Sequence, residues 1–209
     1  SELALEDMPR DNPAAQSISE VIKAGERARD LIRQILTFSR QVESERRLIK
    51  VLPIAKEAMK FLRASIPRTV AIVEHMEEDT GFVLADPIQI QQIILNLCTN
   101  AYQAMMPKGG VMTVEARPVN VDERLCSMHP GLGPGMHTLI SVADTGCGMD
   151  DDTMKRVFDP FFTTKEKTKG TGLGLATVHG IVTSLGGAVA VRSEKGKGSV
   201  FEVYLPVMD

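Results

Sequence analysis

Between residues 144 and 175 the chain reads Asp144-Thr-Gly-Cys-Gly-Met149, then Phe158-Asp-Pro-Phe-Phe-Thr-Thr-Lys165, then Gly170-Thr-Gly-Leu-Gly-Leu175. Glycine lets backbone amides approach a ligand closely and adopts positive φ without strain. The second glycine cluster runs into an apolar stretch that predicts a helix, and such a turn suits an anion because helix N-termini carry free N–H groups. Two tight turns are the alternative. Asp144, a lone acid after an apolar strand, favours a nucleotide pocket with a mobile cover.

Length and composition limit the class of protein. The 209 residues accommodate one large domain or one domain with an appendage, and 43% hydrophobic residues are normal for a globular core. The formal charge of -3 lacks the basic footprint of a nucleic-acid-binding domain. No apolar run is long enough to span a membrane. We therefore expect no nucleic acid partner and no membrane contact by this segment.

The cysteines indicate a reducing compartment. Cys98, Cys126 and Cys147 are widely spaced and form no metal-binding pattern. Free thiols suit the cytosol, so we expect a cytoplasmic location, with membrane attachment of the parent protein left open. Cys98 lies in an apolar helical run and is expected in the core.

The first part of the chain predicts helices. Ser1 to Asp7 is typical of the last turns of a helix, and Ala14 to Glu45 predicts one long helix. Two stripes within it have heptad spacing and form a seam that must pack against other helices. The seam pairs with missing sequence, with a second chain, or with both. Residues 43–50 are charged and are expected to be a linker. The stripes are Ile18, Gly25, Ile32, Ser39 and Val21, Ala28, Ile35, Val42.

The remainder alternates helices and strands. Its order predicts an α+β fold, a two-layer α/β sandwich with a mixed, largely antiparallel sheet and helices on one face. The chain has no regular βαβ repeat and no P-loop motif, which argues against a Rossmann fold and a P-loop NTPase. The predicted helices are 52–66, 87–106, 150–157 and 173–185; the predicted strands are 69–75, 81–84, 111–119, 136–143, 188–192 and 199–205, with a loop at 120–135.

The helix that begins near Pro87 has a strong start signal. Asp86 can cap it, Pro87 suits the first helical position, and Gln89 completes a capping box. Its core face is Ile90, Ile93, Ile94, Leu97, Ala101 and Ala104.

Three amides follow a neighbouring face of the same helix. Asn96, Asn100 and Gln103 are spaced i, i+4 and i+7, so their side chains lie one above another. They either point into a pocket or are ordinary surface amides, and the helix alone does not decide between these. His75 is expected to be an ordinary strand residue.

Several motifs together resemble one family. Asn96-Leu-Cys-Thr-Asn100-Ala resembles the N box of the histidine-kinase and gyrase ATPase superfamily, and the two glycine clusters resemble its glycine boxes. Phe158 to Phe162 resembles the F box of sensor histidine kinases, and Gly196-Lys-Gly-Ser-Val-Phe201 resembles the closing hairpin. The likeness covers residues 52–209 and implies a Bergerat-type ATPase fold. The endings Asn-Ala-Tyr-Gln-Ala-Met and Leu-Thr-Phe-Ser-Arg are most similar to nitrogen-regulation-type sensor kinases.

The resemblance also divides the chain. Residues 1–48 are similar to part of a dimerisation and histidine-phosphotransfer helical hairpin, and residues 49–209 to a catalytic ATP-binding domain. The acceptor histidine of such hairpins lies in a His-Asp or His-Glu motif. None of the four histidines has that context, so we expect the kinase half without its acceptor. His129 and His137 are expected at the surface, and His179 is expected to be structural.

By resemblance, Asp144 accepts a hydrogen bond from the adenine amino group, and Asn100 ligates Mg²⁺ bound to ATP, with Asn96 in support. Residues 163–169 would form the ATP lid. Lys165, Lys167 and Lys169 there either reach phosphate oxygens or are ordinary solvated lysines. The catalytic residues implied are Asn96, Asn100 and Lys165. The nucleotide-binding residues implied are Asn100, Gln103, Ala104, Asp144, Gly146, Gly148, Met149, Thr164, Lys165, Gly170, Thr171, Gly172, Leu173, Gly174, Leu175 and Ser199.

Two positions depart from related proteins in an informative way. Gyrase-type ATPases and anti-sigma serine kinases are similar in placing a glutamate where this chain has Asn96, and an amide cannot take a proton as a carboxylate does. An imidazole acceptor is nucleophilic near neutral pH and needs less help from a base, so Asn96 favours transfer to histidine. Other sensor kinases often carry a lysine where this chain has Gln103, which predicts a weaker, uncharged phosphate contact.

The sequence therefore predicts the ATP-binding kinase domain of a sensor histidine kinase. The resemblance implies transfer of the ATP γ-phosphoryl to a histidine and then to an aspartate of a response-regulator receiver domain. It also implies ATP and Mg²⁺ as ligands and a homodimer formed through the helical hairpin. The alternatives are a superfamily ATPase, an anti-sigma-type serine kinase, or a pseudokinase module that dimerises without binding nucleotide.

Overall fold

The computed structural model describes residues 45–128, 131–165 and 171–208. The predicted helical seam, His129 and residues 166–170 lie outside the described residues. The described elements are β1 (Arg47–Lys50), α1 (Val51–Ser65), β2 (Val70–Met76), β3 (Phe82–Ala85), α2 (Pro87–Met105), β4 (Gly110–Val121), α3 (Glu123–Met128), β5 (Gly135–Asp144), α4 (Asp151–Arg156), α5 (Gly174–Ser184), β6 (Ala188–Glu194) and β7 (Gly198–Pro206).

The main sheet is mixed and largely antiparallel, as predicted. Its five strands lie in the order β2-β4-β5-β7-β6, and only the pair β2 and β4 is parallel. β1 and β3 form a separate two-stranded antiparallel sheet. The strand β5 is central, so Asp144 at its end lies between residues of β4 and β7.

Helices α1, α2 and α5 pack on one face of the sheet and complete the predicted two-layer sandwich. On α2, the side chains of Ile90, Ile93, Ile94 and Leu97 are fully buried, and Ala101 is nearly so. Each fully buried aliphatic side chain of this size contributes roughly 1.5–3 kcal/mol of transfer free energy. The helix therefore holds the core together and fixes the position of the amides on its neighbouring face.

Cys98 belongs to this core, as predicted. Its side chain is fully buried, and burial raises the pKa of the thiol to about 12. The thiol thus stays protonated and unreactive at neutral pH. Within the part of the chain that the structure describes, no helix combines the length and the apolar character needed to cross a membrane.

The start of α2 confirms only part of the predicted capping. The Asp86 carboxylate accepts a hydrogen bond of 2.8 Å from the Ile88 amide, and Pro87 occupies the first helical position. The reciprocal bond of a capping box is absent from the described contacts. The Gln89 Oε1 atom is instead buried without a hydrogen-bond partner among the described residues.

The predicted linker is wrong for its last four residues. Arg47–Lys50 forms β1, which pairs with β3. Only Ile49 is buried in this strand, and its other three side chains are exposed. The four residues place an exposed Leu48 beside the buried Ile49, so their sequence shows no clear alternation that would predict a strand.

The predicted loop at 120–135 contains a helix. Asp122 accepts a hydrogen bond of 2.8 Å from the Leu125 amide and so caps α3. Leu125 and Cys126 pack against Val121 and Leu132 in a second apolar cluster. Strand residues alternate between the two faces of a sheet, so this cluster lies on the face opposite α2. A helix of six residues is too short to show helical periodicity.

The surface position predicted for His137 is also wrong. Only 4% of His137 is exposed, because it lies in β5 between Val119 of β4 and Pro206 of β7. Its Nδ1 atom is 3.0 Å from the Gly135 carbonyl oxygen. The prediction for His75 is confirmed: it is an exposed residue of β2.

Two glycines of the β6–β7 hairpin allow a test of the packing at this turn. Both have positive φ, +83° at Gly196 and +110° at Gly198. A Cβ atom at Gly198 would lie 1.9 Å from the Asp144 carbonyl oxygen, whereas at Gly196 it would meet open space. We predict that Gly196→Ala costs about 1 kcal/mol of unfolding free energy, and that Gly198→Ala costs more than about 3 kcal/mol because backbone strain and overlap add. Urea denaturation of both variants measures this, and equal losses would contradict the packing described.

Candidate functional site

Helix α2 forms one side of the site and carries most of the polar side chains there. Asn96, Asn100, Gln103 and Ala104 are each half-buried on it. Ala104 lies eight residues after Asn96, so at 1.5 Å per residue the two are about 12 Å apart along the helix axis. This face is therefore long enough to contact an extended ligand at both ends.

Asp144 provides a buried carboxylate near the Ala104 end of this face. It is 7% exposed, and its Oδ1 atom accepts a hydrogen bond of 2.8 Å from the Gly146 amide. Burial raises the pKa of the carboxyl, while hydrogen bonds from the backbone of Gly146 and Ser199 partly oppose this shift. No basic side chain among the described residues forms an ion pair with it. A carboxylate has about four acceptor positions, so Asp144 can still accept a hydrogen bond from a ligand.

The first glycine cluster packs backbone against backbone. A Cβ atom at Gly146 would lie 2.6 Å from the Ala104 carbonyl oxygen, and one at Gly148 would lie 2.0 Å from the Glu194 carbonyl oxygen. The Cys147 amide donates to the Ala104 carbonyl at 3.0 Å. The turn is thus held between the end of α2 and the β6–β7 hairpin.

Ser193 is a site residue that sequence reasoning missed. Its hydroxyl accepts a hydrogen bond of 2.8 Å from the Met149 amide and donates one of 2.9 Å to the Gly198 carbonyl. It also lies 3.0 Å from the Ser199 hydroxyl, directly across the hairpin. The predicted strand 188–192 ended one residue before Ser193, so its pairing with Ser199 was not expected.

The second glycine cluster leads into the N-terminus of α5. Its N-cap residue, Leu173, makes no side-chain capping bond, so the first amides of the helix have no such acceptor. A Cβ atom at Gly174 would lie 3.6 Å from Asn100 Nδ2 and 3.7 Å from Asn96 Oδ1. The two asparagines of α2 therefore meet the start of α5, where the helix dipole favours an anion.

The aromatic segment is anchored at one ring and exposed at another. Phe158 contacts His179 at 5.6 Å between ring centroids and Phe201 edge-on at 6.3 Å. The His179 ring is therefore part of the packing around Phe158. Phe161 is 71% exposed with a φ of 65°, and its amide donates to the Gly172 carbonyl at 2.9 Å. This bond brings the two ends of segment 162–171 together.

Lys165 and Gln103 meet between the two glycine clusters. The Lys165 ammonium donates a hydrogen bond to Gln103 Oε1. Lys165 is half-buried, and burial lowers the pKa of its side chain below the ordinary lysine value. Lys165 is therefore partly shielded from solvent, and its contact with phosphate stays a prediction.

The donor atoms suit a hard divalent cation that arrives with an anionic ligand. Amide oxygens such as those of Asn96 and Asn100 are ligands that Mg²⁺ accepts, and Mg²⁺ commonly uses one or two protein ligands plus phosphate oxygens. Among the described residues, no three His, Cys, Asp or Glu side chains cluster as a metal site. The ligand would therefore supply most of the coordinating oxygens.

The structure thus groups the predicted site residues around α2. Gly146, Gly148, Met149 and Ser199 surround Asp144, while Gly172 and Leu173 lead to Gly174 near the two asparagines. The Thr171 hydroxyl oxygen lies 3.5 Å from the Leu173 amide nitrogen. Thr164 is exposed, and Gly170 lies outside the described residues.

This fold and site define an ATP-binding domain. The sequence pattern of the family described as "Histidine kinase-, DNA gyrase B-, and HSP90-like ATPase" matches residues 85–209, and the chain belongs to this family. Within it, the chain is the catalytic ATP-binding domain of a histidine kinase. It is 32% identical over 206 residues to "Sensor kinase CckA" of Brucella abortus. The aligned region covers 99% of this chain and 22% of CckA. It is 29% identical over 191 residues to the histidine-protein kinase AtoS of Escherichia coli, covering 91% of this chain and 29% of AtoS.

Solved structures agree with this assignment. Full-length ShkA in complex with AMPPNP aligns with a TM-score of 0.71 at 25% identity, over 97% of this chain and 40% of ShkA. The mycobacterial sensor histidine kinase MprB has the same fold, with a TM-score of 0.61 at 22% identity, over 77% of this chain and 97% of that structure. The chain spans less than a third of the length of CckA and AtoS. The nitrogen-regulation type stays a prediction.

The hydrogen bonds of Ser193 lead to a stability prediction. Ser193→Ala leaves the Met149 amide without its acceptor, so we expect a loss of about 1–3 kcal/mol in unfolding free energy. Ser184→Ala is the matched control, because the Ser184 hydroxyl donates to Ile181 on the exposed side of α5 and its loss should cost less than about 0.5 kcal/mol. Chemical denaturation distinguishes the two variants. Equal, small losses would show that Ser193 does not hold the turn.

Proposed function

We propose that this chain binds ATP with Mg²⁺ and transfers the γ-phosphoryl group to a histidine outside residues 1–209. The phosphoryl group then passes to an aspartate of a response-regulator receiver domain. The catalytic domain spans 49–209, and 1–48 is part of the dimerisation hairpin of a cytoplasmic homodimer. The observation that carries the proposal is the placement of Asp144 at one end of the α2 face and of Asn96, Asn100 and Gly174 at the other.

At the base end, Asp144 selects adenine. Its ionised carboxylate accepts a hydrogen bond from the exocyclic amino group, which guanine lacks at the equivalent ring position. Gly146 and Gly148 let the backbone of the turn pack closely. The Ser199 backbone donates a hydrogen bond to the carboxylate, and the Ser193 hydroxyl lies against that of Ser199. Burial strengthens this contact because water does not compete for a 7% exposed carboxylate.

At the phosphate end, the free amides of α5 and the side chains of Asn96 and Asn100 bind the triphosphate. Asn100 would hold Mg²⁺ with its amide oxygen, and the ion would neutralise phosphate charge when bound. Asn96 carries no group that accepts a proton from water or a serine hydroxyl. The residues therefore position the nucleotide and leave nucleophilic attack to an imidazole, which needs no strong base at neutral pH.

The relatives support this proposal. CckA is named a sensor kinase and AtoS a signal transduction histidine-protein kinase. The ShkA structure holds AMPPNP, a nucleotide with adenine and a triphosphate-like chain. We propose that the site between Asp144 and Gly174 binds the same class of ligand, an adenine nucleotide with a triphosphate chain.

A labelling experiment tests the proposed reaction. The longer parent protein, incubated with Mg²⁺ and radiolabelled ATP, should gain label that is lost in acid and kept in base, as expected of phosphohistidine. The 209-residue chain alone should bind ATP in calorimetry and gain no such label. Label on serine, or phosphate release without protein label, would instead indicate a serine kinase or an ATPase. Absence of nucleotide binding at high micromolar protein would refute the proposed function.

The pKa of Asp144 leads to a pH prediction for base recognition. The ionised carboxylate binds adenine, so affinity should persist above the pKa and fall as pH decreases through it. Burial raises this pKa, so the fall should begin at a higher pH than for an exposed aspartate. NMR titration with adenosine at several pH values measures this affinity. Adenosine has no phosphate, so phosphate ionisation does not affect the result.

Asp144→Asn is the matched variant for that titration. It should bind adenosine at least about tenfold more weakly, since a charged acceptor is replaced by a neutral amide and a charge-assisted hydrogen bond contributes about 1.5–3 kcal/mol. Its remaining affinity should not change with pH in the range where wild-type affinity falls. A wild-type profile that is equally flat would remove Asp144 from adenine recognition.

A further inference from the structure

Position 103 carries a neutral amide on the helix face that also bears Asn96 and Asn100. Gln103 lies three residues beyond Asn100, so its side chain is on the same side of α2. A glutamine there offers a phosphate no positive charge. The structure nevertheless places a positive charge at this position, because the Lys165 ammonium donates a hydrogen bond to Gln103 Oε1.

The Lys165 ammonium lacks a counter-charge among the described residues. Lys155 and Lys197 form ion pairs with Asp152 and Glu194, but no described carboxylate lies within ion-pair distance of Lys165. Lys165 is also half-buried, whereas the side chains of Lys155 and Lys197 are more than 70% exposed. A partly desolvated cation without a carboxylate partner is costly, and an anionic ligand would offset that cost.

Gln103 orients the Lys165 ammonium without neutralising its charge. A glutamine oxygen accepts one of its three hydrogen bonds and leaves its charge in place. A carboxylate at position 103 would cancel that charge, and a lysine would repel it. The Lys165 backbone is fixed as well, because its amide donates to the Thr163 hydroxyl at 3.2 Å.

We propose that Gln103 is a positioning residue that holds Lys165 for contact with the phosphates of ATP. The positive charge that contacts phosphate is then that of Lys165, which follows the aromatic segment Phe158 to Phe162. Helix α2 contributes Gln103, which accepts a hydrogen bond from this ammonium. This inference rests on the proposed function and deepens it, since it names the pair of side chains that recognises the charged end of the nucleotide. Gln103 acts through Lys165 and makes no independent phosphate contact.

A double-mutant cycle on the 209-residue chain tests the coupling. Lys165→Met and Gln103→Met remove the charge and the acceptor at nearly constant side-chain length. Calorimetry with Mg²⁺–ATP should show a roughly 10- to 100-fold loss for Lys165→Met, as expected for loss of a charge-assisted contact, and a smaller loss of about 3- to 10-fold for Gln103→Met. The double variant should bind no more weakly than Lys165→Met alone, because the two residues act as one unit.

Two further variants exclude general effects. Lys155→Met removes one exposed lysine charge from α4 and should leave ATP affinity unchanged within about twofold. The exchange variant Gln103→Lys with Lys165→Gln restores one ammonium and one amide in swapped positions. It should recover affinity to within about threefold of the wild type, a rescue that a merely structural role would not produce.

Adenosine affinity is the internal control, because adenosine carries no phosphate. All variants should bind adenosine like the wild type. Additive losses in the double variant would show that Gln103 contacts phosphate independently, and equal losses for adenosine and ATP would show a structural role. Either result overturns the inference while leaving the proposed function in place. A wild-type chain that binds no ATP would overturn the proposed function itself.

Discussion

The close approach of glycine backbones to carbonyl oxygens is the constraint on which the site depends. At Gly198 the Asp144 carbonyl occupies the space that a side chain would need, and at Gly148 and Gly146 the carbonyls of Glu194 and Ala104 do the same. A Cβ at any of these positions would push apart the end of α2, the end of β5 and the β6–β7 hairpin. Asp144 is buried and aimed correctly because these three elements pack at backbone distance.

Helix α2 links the two ends of the site through one rigid element. Its apolar face is fixed in the core by fully buried isoleucines, so its amide face has little freedom to rotate. Ala104 supports the turn near Asp144. Asn100 and Asn96, which meet Gly174, lie about 6 Å and about 12 Å away along the helix axis. The distance between the proposed base-binding and phosphate-binding ends is thus set by helix geometry, and substitutions in the α2 core would disturb both ends together.

The sequence predicted what local chemistry and periodicity determine. Asp86 and Pro87 marked the start of α2, alternation marked β4, an apolar run marked β5, and the glycine clusters marked the turns that form the site. It failed where tertiary contacts decide. α3 and β1 are too short to show a period, and His137 is buried only because β4 and β7 flank it. The contact between Gln103 and Lys165 joins residues 62 positions apart, which no local pattern encodes.

Burial acts on opposite charges at two places in the site. It raises the pKa of Asp144 and lowers the pKa of Lys165, so in each case the charged form is the one that folding disfavours. The loss of folding stability caused by burying the Asp144 carboxylate would disappear as pH falls through its raised pKa. The loss caused by burying the Lys165 ammonium would disappear as pH rises through its lowered pKa. Neither group has an ion-pair partner among the described residues.

A ligand with a hydrogen-bond donor at one end and an anion at the other satisfies both groups at once. ATP has this polarity, with the adenine amino group and the phosphates separated by a neutral ribose. Under the proposed function, bound nucleotide would offset the desolvation of both groups and would stabilise the domain through mass action. Asp144 is held by a backbone amide and Lys165 by a glutamine, and neither is held by an opposite charge. Ion pairs would stabilise the empty site and would have to be broken on binding.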